Sequence, residues 1–138
     1  MSVKQISVFL ENKPGMLQKV TEILTENGID MRALSLADSA DYGVLRVIVN
    51  DTEKALSVLS EGGYLAKVND VLAVSVDDAP GGLSGVISLL AENGVNIEYL
   101  YVFVKKRSRE ACAVFRVQNT EKAEAILKEH NVRNERKL

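Results

Sequence analysis

Two copies of a β-α-β-β-α-β unit, an α+β fold with antiparallel sheets, are predicted by three observations. The first is self-similarity at a fixed offset, the mark of a repeated architecture. The stretch "PGMLQKVTEILTENGID" lies over "PGGLSGVISLLAENGVN", with Pro14 matching Pro80 and Gly28 matching Gly94, 66 positions on in both cases. The second is "NDTEKA" over "QNTEKA", where Thr52 matches Thr120 and the offset has grown to 68, so the second copy carries two extra residues in its hairpin, near "KKRSRE". The third is that in each copy the apolar residues alternate, then recur at helical spacing, then alternate again. The expected division is residues 1–69 and 70–138, two small domains of one kind. A unit of this size buries only about 60% of its unfolded surface, which favours packing the copies together.

In "VKQISVFLE", Ile6, Val8 and Leu10 alternate with Gln5, Ser7 and Phe9, the period of a half-buried strand. Met16, Leu17, Val20, Ile23 and Leu24 then recur as a helix face, and Asn27 with Gly28 supplies a left-handed stop. Leu83, Val86, Ile87, Leu90 and the pair Asn93 and Gly94 repeat the pattern. "DMRALSLAD" and "GVLRVIVN" read as two strands joined by a hairpin at residues 39–42. "DTEKALSVLSEGG" is a second helix, capped by Asn50 or Asp51 and stopped at Gly62 and Gly63. "YLAKVN" is a fourth strand, and "DVLAVSVDD" opens the next copy. The closing "NVRNERKL" is short and charged, an edge strand or a frayed tail. Right-handed crossovers turn each unit into a ferredoxin-like split βαβ sheet with both helices on one face.

Strand alternation assigns faces. With Ile6, Val8 and Leu10 toward the helices, Leu34 and Leu36 join them in the first copy, and Leu100, Val102 and Val104 in the second. The opposite face carries Ala33, Ser35 and Ala37 in one copy and Tyr99, Tyr101 and Phe103 in the other, a stripe suited to contact with another sheet or chain. Arg46 and Arg116 fall on that face, expected as rim ion pairs.

Composition narrows the function classes. The chain is 46% hydrophobic and 26% charged, a globular balance. Its net charge of −2 offers no basic field for nucleic acid or anionic lipid. No apolar run reaches spanning length and no leader pattern opens the chain, so a cytoplasmic location is expected. Cys112 is the single cysteine, which excludes an internal disulfide and a CxxC site, and it reads as a buried core thiol. No metal and no cofactor are expected.

The Pro-Gly loop at residues 12–15 feeds a helix whose first N–H groups lack partners and whose dipole favours an anion, a cradle for a carboxylate or phosphate. Proline presets the first helical φ and glycine allows close approach to the backbone. Proline near a helix start is also a common structural device, and the repeat at Pro80 strengthens the functional reading only modestly.

The order strand, "ENKPGML", amphipathic helix, "ENGIDM", hairpin and second helix resembles the ACT domain, a regulatory amino-acid-binding module, and "DDAPGGL" with "ENGVNI" resembles it again. The resemblance implies domains paired side by side, with an amino acid held between the Pro-Gly loop of one and the second-strand start of its neighbour. Carried over by motif position, it implies one site of Asn12, Gly15, Met16 and Leu17 with Asn96 and Ile97. A weaker second site would join Asp78, Gly81, Gly82 and Leu83 to Asp30 and Met31. Two asparagine amides can hold both the carboxylate and the ammonium of a zwitterion, whereas aspartates with Asp77 nearby accept only the amine. One working site per chain is therefore expected. Against it stands the reading of Asn12, Asp30 and Asn96 as turn and cap residues alone.

Catalysis finds little support. His130 is the only histidine and sits at a helix end, where it suits the terminal carbonyls. No Ser-His-Asp set, HExxH or Walker loop is present. The expected function is a non-catalytic amino-acid sensor, acting on an enzyme of amino-acid metabolism in trans or through self-association, with a homodimer expected. The alternative is a ligand-free interaction scaffold using the Tyr99, Tyr101 and Phe103 face. Serine, an aliphatic amino acid and an aromatic one all remain open as ligands.

Overall fold

The computed structural model describes residues 2–38, 41–135 and 138. The hairpin expected at residues 39–42 lies partly outside them. The element order is β1 (Val3–Glu11), α1 (Met16–Glu26), β2 (Met31–Asp38), β3 (Tyr42–Val49), α2 (Thr52–Glu61), β4 (Leu65–Asp77), α3 (Gly82–Glu92), β5 (Ile97–Val104), β6 (Glu110–Val117), α4 (Thr120–Glu129) and β7 (Asn134–Glu135). Two compact units result, Lys4–Asn69 and Asp70–Lys137.

In the first unit the strand order is β2-β3-β1, with β4 beyond β1. β1 and β2 each run antiparallel to β3, with Val8 and Leu36 both opposite Leu45. The helix side of this sheet presents Ile6, Val8, Leu10, Leu45 and Val47 to Val20 and Leu24 of α1 and to Ala55 and Leu59 of α2, one buried cluster. A large side chain of this kind contributes about 1.5–3 kcal/mol when fully buried. The second unit repeats the plan in the order β5-β6-β4-β7. Its cluster joins Leu72, Val74, Ala113, Phe115 and Val117 to Val86, Leu90, Ala123 and Leu127. These are the two ferredoxin-like antiparallel units the alternation predicts.

Local chemistry explains the ends. Asp51 caps α2 by accepting from the Lys54 N–H at 3.1 Å, and Asn119 caps α4 by accepting from the Lys122 N–H at 3.0 Å. Asn50 instead ties two strand ends together, since its Oδ1 accepts from the Asp30 N–H at 3.0 Å while its own N–H donates to the Asp30 carbonyl at 3.1 Å. Each helix closes with a bond from the sixth residue back to the first, such as Ile29 N–H to Leu24 O and Val95 N–H to Leu90 O, both 2.9 Å. In α4 the left-handed position is filled by Asn131, at φ 58°.

Three features differ from the expectation. β4 is one strand of 13 residues where two were expected. The turn formers between them are tied down: the Ser7 hydroxyl donates to Asn69 Oδ1 at 2.9 Å, and the Arg116 guanidinium donates to the Asp70 carbonyl at 2.7 Å. Leu34 and Leu36 share the helix side with Val47 and Leu45 but remain 50% and 49% exposed, because β2 is the outermost strand and the helices do not reach over it. Val102 and Val104 on β5 are exposed for the same reason. Both β2 and β5 also shift register near their starts, between Met31 and Ala33 and between Ile97 and Tyr99. Tyr99, Tyr101 and Phe103 are half-buried on the face away from the helices.

β7 has only two residues in register, Asn134 with Val74 and Glu135 with Ala73. Ionic contacts do the rest: Lys105 bonds Glu135, and Arg133 bonds Glu110 at 2.6 Å and the Ser75 hydroxyl at 3.1 Å. The short charged tail is thus an edge strand over the described residues.

Candidate functional site

β1 ends at Glu11, and the chain turns through residues 12–15 into α1. The Asn12 N–H donates to the Asp41 carbonyl at 2.9 Å, pinning the loop to the head of β3. Gly15 then adopts φ 86°, a left-handed backbone that a Cβ would strain, and its carbonyl accepts the first helical bond from the Lys19 N–H at 3.1 Å. No side chain caps this helix. The N–H groups of Leu17 and Gln18 therefore have no partner among the described residues, and they point out of the positive end of the helix dipole.

The residues around this start form a hollow of about 70 Å³, lined by Leu10, Glu11, Asn12, Lys13, Met16, Leu17, Leu36, Asp38 and Gly43. Lys13 and Glu11 form an exposed ion pair at 2.8 Å. The side-chain hydrogen bond between them, with the attraction of the charges, lowers the Glu11 pKa below the usual carboxylate value and raises that of Lys13. Opposite charges thus stand at the rim, while Leu10, Met16, Leu17 and Leu36 supply an apolar wall. A single water needs about 10–15 Å³ of such space, so the hollow has room for a small group of several heavy atoms.

Of the residues singled out in sequence, Asn12, Met16 and Leu17 line this hollow, with Gly15 shaping the turn. Asp30 and Met31 sit at the other end of the same sheet: Met31 is opposite Val49, while Glu11 is opposite Tyr42 at the start of β3. Asp30 is already engaged, its N–H by Asn50 and its carboxylate by Arg32 at 3.1 Å. Asn96 and Ile97 belong to the second unit, where they begin β5 at the end remote from residues 78–83. Ile97 packs on that unit's core. Neither unit by itself unites a Pro-Gly loop with its own second-strand start.

Glu11, Lys13, Leu36, Asp38 and Gly43 are lining residues that the motif did not single out. The signal that finds them is topology. Because β1 and β2 both run antiparallel to β3, they are parallel to each other, and the end of β2 must arrive beside the end of β1.

The second loop follows the same backbone. The Asp78 N–H donates to the Arg109 carbonyl at 2.7 Å, Gly81 has φ 91°, and the Gly85 N–H donates to the Gly81 carbonyl at 2.9 Å. It differs at Gly82, the counterpart of Met16. A Cβ placed there would lie 2.1 Å from the Asp77 carbonyl oxygen, so the head of α3 is drawn against the strand end. Asp77 and Asp78 are exposed and, among the described residues, not ion-paired.

Elsewhere in the second unit a hollow of about 620 Å³ lies along the outer side of α4, between Glu121, Glu124, Lys128 and Asn134. Among the described residues Ala125 and Val132 are its only apolar lining residues, too few to enclose an apolar ligand. His130 Nδ1 meets the Ile126 carbonyl at 2.9 Å, and burial pushes the Cys112 thiol up to about 11. Among the described residues no cluster of His, Cys, Asp and Glu could hold a metal ion, and no helix is long and apolar enough to cross a membrane.

The chain matches the ACT domain pair family over residues 1–137. It is similar to the crystal structure of protein BT0572 from Bacteroides thetaiotaomicron, at 40% identity and a TM-score of 0.92, over 98% of this chain and 92% of that one. It is also similar to the regulatory subunit of aspartate kinase from Thermus thermophilus in its ligand-free form, at 23% identity and a TM-score of 0.71, over 95% and 92% of the two chains. The corresponding subunit from Thermus flavus has 23% identity and a TM-score of 0.65, over 93% and 90%. No curated protein matches. With the family match covering nearly every residue and the repeated βαββαβ plan agreeing with it, the chain belongs to the ACT domain pair family.

Proposed function

We propose that this protein is a non-catalytic regulator that senses a free amino acid at the loop between β1 and α1. The observation that carries the reading is the hollow beside residues 11–17. Unpaired helix N–H groups and Lys13 suit a carboxylate, Glu11 and Asp38 suit an ammonium, and Leu10, Met16, Leu17 and Leu36 suit a small apolar side chain. Membership of the ACT domain pair family and the likeness to regulatory subunits of aspartate kinase agree with a regulatory role. The second loop is proposed not to form an equivalent site, since Gly82 brings α3 against the Asp77 carbonyl and both neighbouring side chains are acidic.

The test is thermal unfolding against each of the twenty amino acids, repeated with Asn12→Ala. A ligand at a hundredfold excess over Kd stabilises by roughly 2.7 kcal/mol. The expected outcome is a selective upward shift that the substitution removes. An unchanged melting temperature with all twenty would reject the sensor reading.

A second reading is favoured by the half-exposed Leu34 and Leu36 on the outer strand and by the Tyr99, Tyr101 and Phe103 stripe. On this reading the protein is a scaffold for a homodimer or for an enzyme of amino-acid metabolism in trans. Concentration-dependent association without any amino-acid response would favour it.

A further inference from the structure

The strand order of the second unit, β5-β6-β4-β7, sets its two outermost strands on opposite sides of β6 and β4. Lys105, just past the end of β5, nevertheless bonds Glu135 on β7. Register shows where that bond runs. Lys105 stands opposite Glu110 and so level with Asp77, Glu135 is opposite Ala73, and Cys112 is opposite Ser75, midway between those levels. Ala111, Ala113 and Val74 belong to the core under the helices, so Cys112 and Ser75 point to the other face, the one that Lys105 and Glu135 occupy. The ion pair therefore passes diagonally over the Cys112 thiol. The Lys105 and Glu135 side chains are 30% and 21% exposed while Cys112 is fully buried, so one layer of charged side chains separates the thiol from water.

The hold on residues 133–135 is polar. The Ser75 N–H donates to the Arg133 carbonyl at 2.9 Å, and the Arg133 guanidinium reaches Glu110 at 2.6 Å and Glu135 at 3.6 Å. The apolar anchor, Val132, precedes these residues and packs on the core, next to Asn131 with its left-handed backbone. Asn134 Oδ1 is buried with no hydrogen-bond partner among the described residues, a cost of the closed state that hydration on release removes. A segment with so few buried apolar contacts opens before the sheet and helices beneath it.

We propose that residues 133–135 are an ionic strap that leaves the sheet while the rest of the second unit stays folded, and whose opening controls access to the Cys112 thiol. In the closed state burial keeps that thiol un-ionised, with its pKa pushed up to about 11, and therefore inert. Salt favours the open state by screening the charges that hold the strap.

The test is the rate at which the full chain reacts with N-ethylmaleimide, an uncharged reagent, so that salt acts on the protein alone. The thiolate sulfur adds to the carbon-carbon double bond of the reagent, its π bond breaks, and the neighbouring carbon takes a proton from water. Cys112 is the single cysteine, so every added mass reports on it. The expected result is labelling that depends only weakly on urea below the unfolding transition, since a local opening exposes little surface. It should accelerate roughly fivefold between low salt and about 1 M sodium chloride. Glu135→Gln and Lys105→Gln should each bring a similar acceleration at low salt and flatten the salt response. Glu129→Gln, which removes the same charge from an exposed position at the end of α4, should leave the rate unchanged. Labelling whose urea dependence equals that of global unfolding overturns the strap, and this outcome is read on the parent chain alone. Labelling that is weakly urea-dependent but indifferent to salt and to both strap substitutions also overturns it, since the thiol would then be reached by another opening.

Discussion

Residues 11–17 and 77–83 follow one backbone course with two different fillings. Both loops are pinned by an N–H bond to the head of the next hairpin strand, from Asn12 to Asp41 and from Asp78 to Arg109. Both enter the helix through a left-handed glycine, at φ 86° and 91°. At the next position the first loop has Met16, whose side chain walls a hollow, while the second has Gly82, whose missing side chain lets α3 close on the strand. The difference shows that a repeated turn secures the helix entry, and that the residue just after it decides how closely the helix head approaches the strand end.

The largest effect should come from exchanging that residue. Gly82→Ala places a methyl where the Asp77 carbonyl stands, and an overpacked change of this kind costs about 3 kcal/mol. Met16→Gly meets no such obstacle and should cost about 1 kcal/mol, the helix penalty of glycine. Urea unfolding of the two variants measures both. Equal costs would show that the close approach at Gly82 does not constrain the second loop.

The two left-handed glycines sharpen the comparison from the other side, because here the loops should respond alike. A Cβ at Gly15 or Gly81 has no atom within 4 Å, so the cost of Gly15→Ala or Gly81→Ala is backbone strain alone, roughly 1–2 kcal/mol each. Unequal losses in the same urea experiment would mean that the two turns are not the same device.

The contrast also separates what the sequence makes legible from what it does not. Repeat, element order, the stops after Asn27 and Asn93 and the Asp51 cap follow from local chemistry, since a cap or a left-handed stop involves residues only a few positions apart. The face assignments of Leu34, Leu36, Val102 and Val104 follow from alternation, but their exposure does not, because it depends on how far two helices reach across a sheet. Leu36, Asp38 and Gly43 enter the candidate site through the parallel placement of β1 and β2, a long-range relation. The contact between Gly82 and Asp77 is likewise invisible in a motif that reads Pro-Gly in both copies. The hold of Arg133 on Ser75 and Glu110 joins residues 58 and 23 positions apart, beyond any local pattern.

The smallest effect on stability concerns charge. Glu11 and Lys13 are paired in the first loop, and their counterparts 66 positions on are Asp77 and Ala79, which cannot pair. The pair is solvent-exposed, so Lys13→Ala should leave the urea midpoint near neutral pH almost unchanged. It should instead move the titration of Glu11. In the native protein the Lys13 contact lowers the Glu11 pKa from an ordinary 4.5, so its contribution is present above that value and is lost as pH falls through the lowered one. For Lys13 the raised pKa puts the contribution below 10.5, to be lost as pH rises through the folded value. Following the Glu11 carboxyl by NMR from neutral to acid pH should show it titrating at the ordinary value in Lys13→Ala and lower in the parent chain. Coincident curves would mean that the two charges do not meet in solution, and the first loop would then lose the ordered cation that distinguishes it from the second.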